Sequence, residues 1–216
     1  MTKAVPAHDA SSQIVDLYER HARAFDHERG KNLFERGWLD RFRAAVGAGA
    51  SVLDIGCGSG EPIARYFIEA GHDVTGIDSS ETMIALCRER FPAQSWSVAD
   101  MRRLDLGRRF NGILAWDSFF HLTQDEQSAM FAVFAAHIAN GGALMFTSGP
   151  RAGEAIGSYQ GEALYHASLD PEDYRRLLAA HGFDVIDHVA NDATCGGHTI
   201  WLARQMREVT VAGRVR

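Results

Sequence analysis

At 216 residues, with 46% hydrophobic and 23% charged side chains, the chain has the length and composition of one soluble globular domain with a full core. Its formal net charge of −6 disfavours nucleic acid as a partner. No apolar run approaches a membrane span, and no basic-then-apolar leader opens the chain. Three scattered cysteines (Cys57, Cys87 and Cys195) lack metal-ligand spacing and point to a reduced, cytoplasmic setting without a metal site.

In chain order, residues 1–10 read as disordered. Ile14, Leu17, Tyr18, Ala22 and Phe25 then recur at helical spacing and predict an amphipathic helix ending near Gly30. A second helix is predicted from Lys31 to Val46, with Phe34, Trp38, Phe42 and Val46 on one face and Gly47 and Gly49 as its stop. These two helices form an N-terminal cap over residues 1–50, ahead of a core over 51–204 and a tail over 205–216. The last stretch, Arg204 to Arg216, carries arginines at 204, 207, 214 and 216 and reads as solvated.

The core opens with Val52-Leu53-Asp54-Ile55-Gly56-Cys57-Gly58-Ser59-Gly60-Glu61-Pro62. A short apolar run becomes a turn with glycine at every second position, and Glu61-Pro62 opens a helix that runs to about Ala70. Bare backbone at alternate positions lets a flat ligand lie against the turn, at the carboxyl end of the first strand of an α/β sheet. The spacing is not the dinucleotide G-x-G-x-x-G, because the third glycine comes one residue early.

This D-x-G-C-G-x-G run resembles the first motif of the class I S-adenosylmethionine-dependent methyltransferases of small-molecule type. The resemblance spans roughly residues 51–204. It implies a doubly wound, Rossmann-like mixed sheet of seven strands whose last hairpin is antiparallel, preceded by two extra helices. It implies S-adenosylmethionine as cofactor and S-adenosylhomocysteine as product. Asp54, Gly56, Cys57, Gly58 and Gly60 are then cofactor contacts. The leading helices of such proteins often close over the cofactor with an aromatic near the methyl group, for which Tyr18 and Phe25 are the candidates.

The second strand is predicted over Asp73–Ile77, with Asp78 at its end, 22 residues beyond Gly56. A carboxylate about 20 residues on is acceptor-only and takes both ribose hydroxyls. Ser79 or Ser80 caps the next helix, which carries Met83. A third strand, Trp96–Ala99, ends at Asp100-Met101, where the resemblance places adenine, with Asp100 as acceptor and Met101 as cover. The fourth strand, Phe110–Ala115, runs into Trp116-Asp117-Ser118-Phe119-Phe120-His121. Trp116 and Asp117 are assigned to the methionine end of the cofactor, and His121 is the candidate general base.

Thr123-Gln124-Asp125-Glu126 is a capping box. Its helix buries Met130, Phe131, Phe134 and Ile138 and stops at Asn140-Gly141-Gly142, before a fifth strand at Ala143–Thr147. Residues Ser148–Leu169 read as an irregular, glycine-rich loop forming a substrate wall or lid, with a surface hairpin free of ligand contact as the alternative. Asp170-Pro171 starts a last helix, and Phe183–Val189 and His198–Ala203 are the final strands.

The expected activity is methyl transfer from S-adenosylmethionine to oxygen, nitrogen or carbon of a small molecule by in-line displacement. W-D-S-F-F lacks the acid-or-asparagine, two-proline, aromatic run that marks many methylators of planar nitrogens. Tyr165, His166, Arg29 and His198 are candidate substrate contacts. Two alternatives stand beside this reading: a cofactor-binding module without catalysis, and an NAD-dependent oxidoreductase, which the glycine spacing and antiparallel end oppose.

Overall fold

A computed structural model describes residues 7–207, with side chains from Ala10 onward. Seven strands form one sheet: β1 (Ser51–Ile55), β2 (Asp73–Asp78), β3 (Ser95–Val98), β4 (Phe110–Ala115), β5 (Ile138–Ser148), β8 (Phe183–Asp192) and β9 (His198–Gln205). Their order is β3-β2-β1-β4-β5-β9-β8. β1 to β5 run parallel, and β9 lies antiparallel between β5 and β8. The predicted mixed sheet with an antiparallel final hairpin is therefore present. The order in which strands are added reverses at the β1/β4 boundary, the switch point outside which α/β sheets bind ligands.

Helices cover both faces. α3 (Arg36–Val46), α4 (Ile63–Glu69) and α5 (Glu81–Arg90) bury Trp38, Leu39, Phe42, Phe67, Ile84 and Cys87 on one side. The opposite side is covered by α6 (Gln124–His137) and α7 (Pro171–Ala180). There Phe119, Phe131, Phe134, Phe146, Tyr174 and Trp201 form one aromatic cluster. Phe146 stacks on Trp201 at 5.9 Å and meets Phe119 edge-on at 5.3 Å. The capping box of α6 forms as read, with Thr123 and Glu126 each bonding the other's backbone.

Five differences from expectation bear on the site or the domain limits. Residues 7–10 belong to a short helix, α1 (Ala7–Ser12); residues 1–6 lie outside the described part, as do 208–216 of the tail. α2 (Ile14–Glu28) matches the first predicted helix. α3 begins at Arg36 rather than Lys31, because the linker is drawn aside by Lys31–Glu61 and Arg29–Glu35 ion pairs. α6 ends at His137, which accepts the Leu106 N–H at 3.1 Å and lets β5 start at Ile138, so Asn140-Gly141-Gly142 lies within the strand. Gln205 extends β9 beyond the predicted core limit of 204.

The fifth difference is the largest. The stretch read as an irregular loop is a hairpin, β6 (Gly153–Tyr159) with β7 (Glu162–Ser168). Its two-residue turn, Gln160-Gly161, has φ of +51° and +81°, the geometry that suits the right-handed twist of paired strands.

Phe146→Ala removes the centre of the aromatic cluster and is expected to lower stability by about 3–5 kcal/mol in denaturant unfolding. A loss under 1 kcal/mol would show that the cluster collapses around the gap.

Candidate active site

The three glycines of the first turn serve three purposes. A Cβ on Gly56 (φ +74°) would lie 2.3 Å from that of Ser118, whose hydroxyl donates to the Ile55 carbonyl at 2.7 Å. Gly56 therefore lets the turn after β4 press onto the end of β1. A Cβ on Gly58 (φ +53°) would meet nothing nearer than Phe25 at 4.0 Å, so it would project into an open cleft. Gly60 packs against Phe91 and Cys87, which places it on the α5 side of the turn. Cys57 also points away from the cleft, toward Gly76 and Trp96.

The cleft is lined by Tyr18, Gly58, Asp78, Met101, Asp117 and His121, among others, and holds about 940 Å³ counting its open mouth. Of the predicted cofactor residues, Gly56, Gly58, Asp78, Ser79, Met83, Asp100, Met101 and Asp117 line it. Asp54, Cys57, Gly60 and Trp116 stand behind that wall.

Asp78 accepts the Gly58 N–H and the Ser80 N–H, both at 2.9 Å. It thus ties the glycine turn to the entry of α5, and it is not the cap: Ser80 is, accepting the Met83 N–H. Burial raises the Asp78 carboxyl above its ordinary range. Burial first, and the Asp78 charge second, push Asp54 up to about 7. Asp100 caps a short turn and is chelated by Arg102, which also pairs with Glu126. Among the described residues lining the cleft, Arg102 is the one arginine, and lysine is absent.

α2 roofs the cleft, and the residues that fix it escaped the sequence reading. Glu19 accepts from the Ser80 hydroxyl (2.5 Å), the Thr82 hydroxyl (2.6 Å) and the Thr82 N–H (3.1 Å), placing an anion at the start of α5. Asp26 takes a two-pronged bond from Arg90, each prong 2.6 Å. On the other flank, Arg20 and His21 pair with Glu162, and Glu28 accepts from Tyr159 (3.1 Å) and Gln160 (2.7 Å).

So held, α2 brings together the two predicted catalytic candidates. The Tyr18 hydroxyl lies 2.9 Å from His121 Nε2, and His121 Nδ1 lies 2.8 Å from the Tyr165 carbonyl. A carbonyl only accepts, so Nδ1 carries hydrogen and Nε2 accepts the tyrosine proton. Burial, the main cause, lowers His121 to about 4, which keeps the ring neutral. Burial likewise raises the Tyr18 phenol far above its usual value, with Asp117 and Asp78 adding to it.

The four candidate substrate contacts separate. His166 sits 4.9 Å from the His121 ring and 5.2 Å from Phe120, near the cleft. Tyr165 turns its side chain away, donating to Glu154, and reaches the site only through its carbonyl. Arg29 is spent on buried Glu35. His198 stacks on Trp116 at 5.6 Å and lies 3.0 Å from Asp117. Its Nδ1 faces the Cys195 carbonyl at 2.7 Å, so both ring nitrogens face acceptors. The Asp117 bond, foremost, raises its pKa, and the imidazolium satisfies both partners.

The donor set fits S-adenosylmethionine. Gly58 leaves the backbone bare, Asp78 offers acceptor lone pairs, and the acids lining the cleft, Asp78, Asp100, Asp117 and Glu126, suit a ligand that carries a sulfonium and an ammonium group.

Residues 52–142 match the family model described as a methyltransferase domain. The chain is 33% identical over 108 residues to the dTDP-3-amino-3,4,6-trideoxy-alpha-D-glucopyranose N,N-dimethyltransferase of Streptomyces venezuelae, covering 49% of this chain and 45% of that protein. It is 31% identical over 144 residues to the dTDP-3-amino-3,6-dideoxy-alpha-D-glucopyranose N,N-dimethyltransferase of Streptomyces fradiae, covering 66% and 55%. The chain thus spans about half the length of the curated relatives it matches. In fold it is similar to the 1,6-didemethyltoxoflavin-N1-methyltransferase of Burkholderia thailandensis, solved with 1,6-didemethyltoxoflavin and S-adenosylhomocysteine, at a TM-score of 0.73 and 20% identity over 95% of this chain and 93% of that one. The SAM-bound amino pentose methyltransferase CalS10 of Micromonospora echinaspora gives 0.65 and 20% over 95% and 99%.

The raised Asp54 pKa carries a signed prediction. In the unfolded chain Asp54 titrates near 3.8 and in the folded chain near 7, so the stability it contributes is full below 3.8 and lost as pH rises to about 7. Asp54→Asn abolishes that loss. Between pH 5.5 and 8, without ligand, the variant is expected to gain about 2 kcal/mol relative to the parent in urea unfolding. Parallel stability curves would refute the assignment.

Proposed function

We propose that this chain, which belongs to the class I S-adenosylmethionine-dependent methyltransferases, moves a methyl group onto a nucleophilic oxygen, nitrogen or carbon of a small molecule. The observation that carries the reading is a cleft whose floor is the bare Gly56–Gly58 backbone with Asp78, and whose far wall is the Tyr18–His121 pair. The relatives named above, several of them acting on small molecules by name, agree with it. Among the described residues no helix is long and apolar enough to cross a membrane, and no group of three or more His, Cys, Asp or Glu could hold a metal ion. The three cysteines are free thiols, in keeping with a reducing, cytoplasmic setting.

When bound, S-adenosylmethionine supplies a methyl group already made electrophilic by its sulfonium. What remains for the protein is alignment and removal of water. Asp78 would hold the ribose hydroxyls, and Gly58 would let the ligand lie on the backbone. Met101 and Asp100 would serve the adenine, with Ser79 and Met83 as further contacts from the same wall. Tyr18 and Phe25, 5.4 Å apart, close the cleft from α2 and exclude solvent from the reacting end. Tyr18 keeps its proton, delivers it toward His121 Nε2 and leaves its oxygen lone pairs free to orient an acceptor N–H or O–H.

The decisive experiment follows labelled methyl from S-adenosylmethionine into a size-fractionated cell extract, with Asp78→Ala as control. Label is expected in the small-molecule fraction. Label in protein or RNA would overturn the acceptor class. Cofactor binding without any transfer would favour a binding module. In calorimetry, Asp78→Ala is expected to weaken S-adenosylmethionine binding by about 1–3 kcal/mol. Tyr18→Phe should leave that affinity alone and slow turnover at least about tenfold; an unchanged rate would reduce Tyr18 to packing.

A further inference from the structure

Asp117 is built unlike any other residue of the cleft. It stands just beyond β4 with φ +49°, a left-handed conformation uncommon outside glycine and one that aspartate and asparagine adopt more readily than other residues. Thr147 supplies part of the hold: its hydroxyl oxygen accepts the Asp117 N–H at 2.9 Å and its hydroxyl donates to Oδ1 at 3.3 Å. His198 supplies the rest and already gives the carboxylate one charge partner, its Nε2 lying 3.0 Å from Oδ1 and 3.2 Å from Oδ2 on the sheet side. Those partners belong to β5 and β9 in the sheet, while a third of the side chain remains exposed and lines the cleft that Tyr18 and His121 close. A carboxylate braced from behind, with its exposed part in the cleft, is placed to face a group that carries or gains positive charge.

The same wall excludes most acceptor chemistries. A carboxylate, phenolate or enolate would enter a cleft lined by Asp78, Asp100, Asp117 and Glu126, whose one arginine is already shared between Asp100 and Glu126. A neutral alcohol must lose a proton to become a strong nucleophile. The nearest base, His121 Nε2, already accepts the Tyr18 proton and is held neutral by burial, with His166 beside it and Asp117 opposing. A neutral amine needs neither help: its own lone pair attacks, and its nitrogen ends the reaction positively charged.

We propose that the methyl acceptor is an amine, its nitrogen held by the outward face of Asp117 between Tyr18 and His121. This rests on the methyl-transfer reading and moves Asp117 from the cofactor to the acceptor. The nitrogen lone pair forms the new N–CH3 bond as the S–CH3 bond breaks. The sulfonium charge passes to the nitrogen, and the proton now in excess leaves to solvent. Asp117 faces the atom that gains charge, so it stabilises the transition state more than the ground state.

The test sorts the small-molecule product of the labelling experiment by chemistry. Label in a species that binds a cation exchanger at low pH and survives alkali supports the proposal. Label that is neutral, anionic or released by alkali overturns the amine and leaves methyl transfer standing. No label with cofactor bound overturns both. Asp117→Asn keeps the shape and tolerates the left-handed backbone. It is expected to cut incorporation at least about 30-fold, while S-adenosylhomocysteine affinity by calorimetry stays within about threefold. An equal loss of both would return Asp117 to the cofactor and defeat the assignment.

Discussion

Two carboxylates on α2, Glu19 and Asp26, make this site a chamber. Without them the ends of β1, β2 and β4 would present an open ledge, as any α/β sheet does at its switch point. Glu19 binds the exposed donors at the start of α5, where the helix's own field favours an anion. Asp26 meets the other end of the same helix through Arg90, whose guanidinium also reaches the Ser59 carbonyl of the glycine turn. Floor and roof are thereby fixed to one helix, and the Tyr18 hydroxyl is delivered to His121 across 103 residues of sequence.

Two histidines near the reacting end show how partners decide protonation. His121 has one obligate acceptor and one hydroxyl that can donate, so the neutral ring satisfies both. His198 faces a carbonyl and a carboxylate, neither of which can donate, so the cation does. Residue type alone distinguishes nothing here; the atoms opposite each nitrogen do.

The legible part of the fold was its periodic part. The strand–turn–helix of residues 52–62, Asp78 at the end of β2 and the capping box at Thr123 were readable because their chemistry is local. Tyr18 and His121 could be singled out by type and place, though not paired. The roof contacts were invisible because Glu19 and Asp26 sit on the polar face of an amphipathic helix, where acids are ordinary. The β6–β7 hairpin ranked only as the alternative to an irregular loop because β6 is exposed along nearly its whole length and shows no alternation of apolar and polar residues, and Gln-Gly is a weaker turn signal than Asn-Gly. Trp116 and His198, placed respectively with cofactor and substrate, stack on each other behind the wall instead, because β9 runs back antiparallel beside β5.

The roof is fastened unequally along its two edges. Toward α5, Glu19 and Asp26 are tied by hydroxyls, a helix end and a forked guanidinium. Toward the hairpin, Arg20 and Glu162 meet in water, with side chains 46% and 37% exposed. Dissolved ions screen the second fastening far more than the first. The helix is therefore mounted like a door, with α5 as the jamb that bears the pins and the hairpin as the side that carries the latch. Traffic into the chamber follows the latch, and ionic strength is a hand on it.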